Sequence, residues 1–160
     1  MIMEVAFTKN HFETPKNIIW NDVIEKISYE CLNKTHKLII NKSMYIDEND
    51  SSYIFTESPT IVLHENFFPG TIKNAFDELE LKAGIKDIHL YISFAKDSGT
   101  FGRHNDNEDV LIVQSIGTAS YKFDDGKIYD LNPGDSLFIP KGVYHDPIIH
   151  GPRVTLSCSW

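Results

Sequence analysis

The sequence predicts a mainly β protein, a small barrel or sandwich of short strands with helices packed outside it. Three observations favour this fold class. Two helical patterns lie in residues 1–87, and about six short apolar segments separated by turn residues follow. In addition, 41% of the 160 residues are hydrophobic, enough for one buried core. We expect a single domain over residues 1–160, with residues 1–87 packing on barrel strands from residues 88–160. An irregular α+β domain is the alternative.

The N-terminal part contains the two predicted helices. The first lies after Pro15 in PKNIIWNDVIEKISYECLNK, and the second in TIKNAFDELELKAG, with Gly84 where its C-terminal cap is expected. The predicted apolar stripes are Trp20, Ile24, Ile27 and Cys31 on the first helix, and Ile72, Ala75, Phe76 and Leu79 on the second. Between the helices, HKLIINKSMYI predicts short strands, and DENDSS, residues 47–52, an exposed loop.

From residue 88 onward the pattern is that of strands separated by turns. IHLYISF, DVLIVQSI, SLFIP and RVTLSCSW each predict a strand, and AKDSGTFG and NPGD predict loops or turns. TASYKF and KIYDL are predicted to pair as a hairpin that turns at Asp125-Gly126. PIIHGPR is interpreted as a loop near the end of the chain.

The net charge and the cysteine content narrow the functional classes to which this protein can belong. The net charge of −8 argues against a broad nucleic-acid-binding face. Cys31 and Cys158 are far apart and lack the spacing of metal ligands, so we interpret them as reduced, buried thiols, with one distant disulfide as the alternative. The N-terminus has no signal-peptide pattern and no apolar run is long enough to span a membrane. We therefore expect a soluble, cytoplasmic protein that binds neither nucleic acid nor membranes.

The segment GDSLFIPKGVYH has the spacing of the second cupin motif: glycine, five residues, proline, one residue, glycine, two residues, histidine. Gly134 follows a proline in a tight turn, and SLFI supplies a buried strand. Pro140 and Gly142 then bend the chain and deliver His145 at the end of the bend. Chance rarely produces this arrangement after an apolar strand.

His104 and Asp106 are separated by one residue, just ahead of the apolar strand DVLIVQSI. Taken alone, the pair is either part of a metal site or two polar loop residues. Since side chains alternate along a strand, residues two apart can face one ion if the pair lies on a strand. A histidine from another strand would complete a 2-His-1-carboxylate set, which suits non-haem Fe(II) chemistry.

The second half of the chain resembles the Jumonji-C-like cupins typified by the bacterial ribosomal oxygenases, which hydroxylate residues of ribosomal proteins. The matching segments are ISF (92–94), GTFGRHND (99–106), DVLIVQSIG (109–117), LNPGDSLFIPKGVYH (131–145) and Ser157. The resemblance covers about residues 91–160, and the first ninety residues match no family. It implies a double-stranded β-helix, the cupin or jelly-roll barrel. It also implies Fe(II) bound by His104, Asp106 and His145, with 2-oxoglutarate and O₂ as cosubstrates.

One position departs from this family. The ribosomal oxygenases carry Lys or Arg fifteen residues after the first iron-binding histidine, and here that residue is Ala119. Arg153 is our candidate to bind the far carboxylate of 2-oxoglutarate, because HGPRVTLS resembles the Gly-x-Arg segment of prolyl-hydroxylase-type oxygenases. On the last strand Arg153, Thr155 and Ser157 share one face, which either lines the barrel or is solvated. Lys122 is the second candidate.

Other residues of the barrel half have two interpretations each. Tyr91 and Ser93 lie on a strand expected to line the barrel and either contact the cosubstrate or are structural. Gln114 lies in an apolar strand and either bonds barrel backbone or steadies the site. His150 is predicted to lie at the rim and not to bind metal. The histidines without ligand-like spacing are predicted to be structural: His11, His36, His64 and His89.

Three functional hypotheses follow. The first is an Fe(II)- and 2-oxoglutarate-dependent oxygenase that hydroxylates a protein side chain or a small molecule. The second is a non-oxidative metal-binding cupin, isomerase-like or ligand-sensing, and the third is a structural barrel without a reaction. The ribosomal oxygenases carry C-terminal regions for dimerisation and a winged helix, which we do not expect here, since Trp160 lies on the last predicted barrel strand. The ribosomal substrate therefore does not carry over, and a monomer and a homodimer both stay open.

Overall fold

The structure is a computed structural model that describes residues 4–45 and 57–160. Within these residues the chain is mostly β, with two α-helices and two antiparallel sheets, which confirms the predicted fold class. The predicted loop at residues 47–52 lies outside the described residues. Among the helices of the described segments, none is both long and apolar enough to span a bilayer.

The helices precede most of the strands, as the sequence predicts. A 3-10 turn at Thr14–Asn17 precedes helix α1 (Trp20–Leu32), and helix α2 spans Thr71–Ala83. The strands are β1 (Ala6–Thr8), β2 (Lys37–Ile40), β3 (Ser43–Tyr45), β4 (Thr60–Leu63), β5 (Asp87–Ser93), β6 (Val110–Ile116), β7 (Ala119–Phe123), β8 (Ile128–Leu131), β9 (Ser136–Ile139), β10 (His145–Ile149) and β11 (Arg153–Ser159).

The two sheets face each other and enclose a cavity. The larger sheet has the strand order β1-β9-β6-β11-β5-β4-β2-β3, and the smaller has the order β10-β7-β8. One face of the larger sheet packs on the helices, in a core that includes Val23, Ile72 and Leu156. Its other face packs against the smaller sheet, with Ile112 and Tyr121 in the shared core. The cavity lies on this second side, between β5, β6 and β11 on one wall and β7 and β10 on the other.

The face of helix α1 that is buried differs in part from the predicted apolar stripe. The side chains of Lys26 and Glu30 are fully buried, whereas Ile24 is 53% exposed. Lys26 Nζ lies 3.0 Å from Glu30 Oε2, and it also donates hydrogen bonds to the carbonyls of Glu65 and Phe67. The predicted stripe is confirmed for Trp20 and Ile27, which pack against the core, and wrong for Ile24, because a buried ion pair occupies part of the helix face that packs on the core. Apolar spacing alone does not reveal such a pair.

Helix α2 forms as predicted. Ile72, Ala75 and Leu79 are fully buried, and Phe76 packs against the same core. Gly84 ends the helix with a φ of 69°, a left-handed conformation that glycine adopts without steric penalty. The helical periodicity of this segment therefore predicted both its inner face and its end.

The sequence pattern misses the strands β1, β4 and β10. Strand β4 is buried throughout and so lacks the polar alternation of a half-exposed strand. Strand β10 contains Pro147, which weakens a strand prediction, but β10 is an edge strand, where a missing N–H is tolerated. The prediction of a loop at PIIHGPR is thus wrong for residues 147–149.

Candidate active site

His104, Asp106 and His145 come together in the cavity between the sheets. Each offers one ligand atom, and these atoms lie within 4.8 Å of one another. Asp106 Oδ1 lies 4.0 Å from His104 Nε2, and Asp106 Oδ2 lies 3.7 Å from His145 Nε2. No other group of three His, Cys, Asp or Glu side chains in the described part of the chain meets this distance. We call these three residues the triad.

The backbone holds the two histidines of the triad. Their N–H groups donate to each other's carbonyls at 2.9 and 2.8 Å, forming an isolated antiparallel bridge. His104 Nδ1 lies 2.8 Å from the carbonyl of Gly102, and His145 Nδ1 lies 3.0 Å from that of Val143. Because a carbonyl only accepts, we assign the proton of each ring to Nδ1, which leaves the lone pair of each Nε2 toward Asp106. A metal-binding imidazole needs this tautomer.

His104 and Asp106 do not lie together on a strand, so strand alternation is not what turns both side chains toward the same point. Both residues precede β6, which begins at Val110. Two backbone contacts fix them instead: the bridge from His104 to His145, and a 2.9 Å hydrogen bond from the N–H of Gly142 to the carbonyl of Asp106. The cupin-type segment at residues 134–145 therefore positions the earlier pair as well as its own histidine.

Burial affects the protonation of His145. Its side chain is only 3% exposed, and this desolvation lowers its pKa below the usual value. The carbonyl of Val143 opposes the shift, and the nearby His104 ring adds to it. The neutral imidazole, the form that binds a metal, is therefore favoured at neutral pH.

Arg153 lies inside the cavity and is 3% exposed, so the alternative of a solvated surface arginine is wrong. Its Nε donates to Ser93 Oγ at 3.1 Å and its Nη1 donates to Thr155 Oγ1 at 2.7 Å, and the hydroxyl of Tyr121 lies near the guanidinium. Burial lowers the pKa of Arg153, and Tyr121 and Tyr91 raise it, but a guanidinium stays protonated. The described residues give this buried cation no carboxylate partner.

Gln114 lies behind the cavity wall and supports it. Its amide Nε2 donates to the carbonyls of Ile116 and Gly117 at 2.9 and 3.2 Å. Its Oε1 accepts a 2.7 Å hydrogen bond from the hydroxyl of Thr155, which in turn accepts from Arg153. Both interpretations of Gln114 therefore hold: it bonds barrel backbone and it orients a residue of the cavity. It does not itself line the cavity.

Tyr91 lines the cavity, in agreement with the expectation for its strand, and Thr155 and Ser157 also line it, which decides between the two alternatives left open for that face of β11. Burial, with a smaller contribution from the negative charge of Asp106, raises the pKa of Tyr91 to about 12. Tyr91 is therefore a neutral hydroxyl donor at any ordinary pH.

The structure excludes Lys122 as a cavity residue and adds Tyr121. Along β7 the side chains alternate, so Ala119, Tyr121 and Phe123 are buried between the sheets and Lys122 is exposed. The prediction that Lys122 contacts a cosubstrate is wrong for this reason. The sequence reasoning missed Tyr121, although the same alternation opposite the exposed lysine was a usable signal.

His150 does not lie at the triad. Its Nε2 lies 2.6 Å from Ser120 Oγ, and Ser120 also donates to Asp130 at 2.5 Å. This agrees with the expectation that His150 is not a metal ligand.

No protein-family model matches the chain, and no curated protein matches it. Solved structures of the ribosomal oxygenase YcfD of Escherichia coli do share its fold. One has a TM-score of 0.73 at 18% identity and covers 96% of this chain and 47% of YcfD. Structures of YcfD with cobalt and 2-oxoglutarate, or with cobalt and succinic acid, have TM-scores of 0.73 and 0.72 at 17% identity. They cover 97% and 98% of this chain, and 47% and 48% of YcfD.

This similarity confirms the predicted resemblance to the ribosomal oxygenases at the level of the fold, the cupin or jelly-roll barrel. The chain spans about half the length of YcfD. The structural similarity covers nearly the whole chain, whereas the sequence resemblance is confined to residues 91–160. The N-terminal residues thus share a fold that their sequence does not reveal.

Proposed function

We propose that this chain is an Fe(II)- and 2-oxoglutarate-dependent oxygenase that hydroxylates a protein side chain or a small molecule. One observation carries the proposal: the triad and the buried cation Arg153 line the same cavity. A metal site alone fits any metal-binding cupin. An oxoacid such as 2-oxoglutarate needs a metal for its oxoacid end and a cation for its far carboxylate. A cavity that contains both a metal site and an anion-binding site therefore fits such a ligand.

The triad suits the metal. Two imidazole Nε2 atoms and one carboxylate form the donor set of non-haem Fe(II) sites with open positions. The carbonyls of Gly102 and Val143 fix both rings through Nδ1, an arrangement that orients metal-binding histidines in general. Asp106 supplies one negative charge, which partly neutralises the ion.

Arg153 suits the far carboxylate of 2-oxoglutarate. A buried cation without an anionic partner is unfavourable, and a carboxylate bound there would neutralise it. Ser93 and Thr155 hold the guanidinium, and its remaining N–H groups are available for paired hydrogen bonds to a carboxylate. The neutral hydroxyl of Tyr91 lines the same cavity and can donate a further hydrogen bond.

With Fe(II), 2-oxoglutarate and O₂ bound, the metal centre would supply oxidative decarboxylation of the oxoacid to succinate and hydroxylation of a C–H bond. The chain itself binds and orients. Arg153 sets the direction of the oxoacid, and Asp106 with the two histidines fixes the metal. The apolar side chains of Ile39 and Phe101 line the cavity and exclude water from it. The cobalt complexes of YcfD with 2-oxoglutarate and with succinic acid support this assignment by analogy of fold.

A non-oxidative metal-binding cupin is the second candidate. The observation that favours it is Ala119, which is fully buried and carries no charge where the ribosomal oxygenases have a base. In that case the metal serves as a Lewis acid or an anchor, and Arg153 binds some other anion.

The test uses the full chain loaded with Fe(II) under anaerobic conditions. Addition of 2-oxoglutarate should produce a weak visible absorption band, and admission of O₂ should produce succinate slowly even without the hydroxylated substrate. If iron is bound but neither the band nor succinate forms, the non-oxidative cupin replaces the oxygenase. If no metal binds at the triad, both proposals fail.

A further inference from the structure

Two histidines outside the triad face each other across strands β4 and β5. The ladder pairs Val62 with Tyr91 and Leu63 with Leu90, so the next residues, His64 and His89, stand opposite each other. Their ring centroids are 5.8 Å apart at an interplanar angle of 68°. Two imidazoles on one Zn²⁺ have centroids about 5 Å apart, given Zn–N bonds of about 2.0–2.1 Å. The observed spacing is therefore close to that of a bis-imidazole site.

A carboxylate lies beside each of these rings. Asp87 Oδ2 lies 3.1 Å from His89 Nε2, and Glu65 Oε1 lies 3.5 Å from His64 Nε2. Adjacent ligand atoms of a tetrahedral zinc ion are about 3.3 Å apart, given bonds of about 2.0–2.1 Å. Each histidine–carboxylate pair therefore already has the separation of two ligands that share one ion.

We propose that His64, Glu65, Asp87 and His89 form a second metal site, which binds Zn²⁺. Two imidazoles and two carboxylates make a neutral complex with a divalent ion, and this mixed nitrogen and oxygen donor set suits zinc. The two pairs stand further apart than the ligands of the triad. All four side chains are between 26% and 44% exposed, so rotation about their side-chain bonds can bring the pairs together around an ion.

Glu30 supplies the support that metal-binding histidines usually have. The Nδ1 of His64 is buried and has no hydrogen-bond partner among the residues that the structure describes, and it faces Glu30 Oε1 at 3.8 Å. The same oxygen accepts a 3.0 Å hydrogen bond from the backbone N–H of His64. When Nε2 binds the ion, Nδ1 carries a proton, and a small ring movement toward Glu30 gives it an acceptor. Lys26 neutralises Glu30 from the opposite side.

The position of the site suggests what it does. His89 pairs with Ser157 of β11, which lines the triad cavity, and it lies on the same face of β5 as Tyr91. A zinc ion shared by His64 and His89 would fasten β4, from the N-terminal part, to the barrel strand that forms this cavity wall. The site thus stabilises the contact between β4 and β5 beside the cavity, and it shares no residue with the triad.

The experiment measures Zn²⁺ bound per chain, by equilibrium dialysis with elemental analysis, on the full chain stripped with a chelator. The parent is compared with Asp106→Ala, His89→Ala and the combination of the two. His150→Ala is the matched control, since it removes a histidine from outside both sites. We expect two zinc ions on the parent and the control, one on each single variant, and none on the combination.

Zinc binding that is unchanged by His89→Ala would overturn the second site, as would loss of all zinc in Asp106→Ala. If the triad itself binds no metal, the parent and Asp106→Ala both hold one zinc ion and lose it with His89→Ala. Failure of the proposed function is thereby distinguished from failure of this site. Circular dichroism checks that His89→Ala folds. A second measurement on Asp106→Ala uses Cu²⁺ as the probe, whose electron paramagnetic resonance should show two nitrogen ligands and lose one in His64→Gln.

Discussion

The triad end of the cavity and the Arg153 end are held in place in different ways. His104 and Asp106 lie outside the strands, with side chains 25% and 36% exposed, and depend on a few backbone hydrogen bonds. Arg153 lies on β11, is 3% exposed, and belongs to a chain of hydrogen bonds that runs through Thr155 to Gln114.

Because of this difference, substitutions at the two ends of the cavity should have different effects: those at the triad on function, and those behind Arg153 on stability. The side chains of His104 and Asp106 line the cavity and are partly exposed, so we expect that they can be replaced without unfolding the barrel. Side chains behind Arg153 are buried polar groups, and removal of one partner leaves another unsatisfied. The predictions that follow test this contrast, beginning with the largest expected effect on function.

Replacing Asp106 with alanine should abolish the iron–oxoglutarate absorption band and the formation of succinate. The free energy of unfolding of the metal-stripped protein should change by less than about 0.5 kcal/mol, because the side chain is partly exposed and outside the core. Both are measured on one preparation, by spectroscopy and by urea denaturation. Glu108→Ala is the control, since Glu108 is an exposed carboxylate in the same loop. Turnover at the parental rate in Asp106→Ala would exclude Asp106 as a ligand.

Arg153→Met should weaken binding of 2-oxoglutarate about 100-fold or more, because two hydrogen bonds to a charged group contribute about 1.5–3 kcal/mol each. The unfolding free energy without ligand should fall by no more than about 1–3 kcal/mol, because Ser93 and Thr155 each lose a hydrogen bond, while removal of a buried cation that has no carboxylate partner among the described residues offsets part of this cost. Calorimetric titration of the metal-loaded protein measures the affinity, and Lys122→Ala serves as the exposed control. If Arg153→Met binds 2-oxoglutarate as tightly as the parent does, the far carboxylate of the oxoacid binds to another residue.

Gln114→Leu should have a smaller effect on binding and a larger one on stability. Loss of the amide removes the acceptor of the Thr155 hydroxyl proton and the donor to the carbonyls of Ile116 and Gly117, and an unsatisfied buried group costs about 1–3 kcal/mol of unfolding free energy. Affinity for 2-oxoglutarate should fall about tenfold or less, because Arg153 keeps its direct contacts. Urea denaturation and titration measure the two quantities. If Gln114→Leu is as stable as the parent, the hydrogen-bond chain does not stabilise the Arg153 end of the cavity.

Arg103→Ala should have the smallest effect. Arg103 stacks on Tyr144, 3.9 Å from the ring centroid, and pairs with Asp124, so it ties the His104 loop to the β7–β8 hairpin. The pair is more than half exposed, so metal affinity should fall only a few-fold at low salt and match the parent at high salt. Titrations at two ionic strengths measure this. Lys127→Ala, on the same hairpin, is the control, and an effect independent of salt would contradict the ion-pair explanation.

Short-range patterns in the sequence predicted several structural features of this protein. The helical spacing from Ile72 to Leu79 predicted the inner face of α2, and strand alternation predicted that Arg153 and Thr155 share a face. The two motifs identified His104, Asp106 and His145 as candidates, because each motif is short and its spacing is set by a local turn. These features depend on contacts between near neighbours in the chain, which the sequence displays directly.

Tertiary structure decided what depends on distant pairing. Lys26 and Glu30 are buried because the chain at Glu65 and Phe67 comes close enough to bind them, which no helical pattern reveals. Likewise, His104 meets His145 through a backbone bridge between segments 41 residues apart, and not through strand alternation. A contact between remote residues depends on the register in which their strands pair, and one residue of shift would turn every side chain to the other face. The sequence alone therefore predicted the candidate residues, whereas only the folded sheets determined which of them meet.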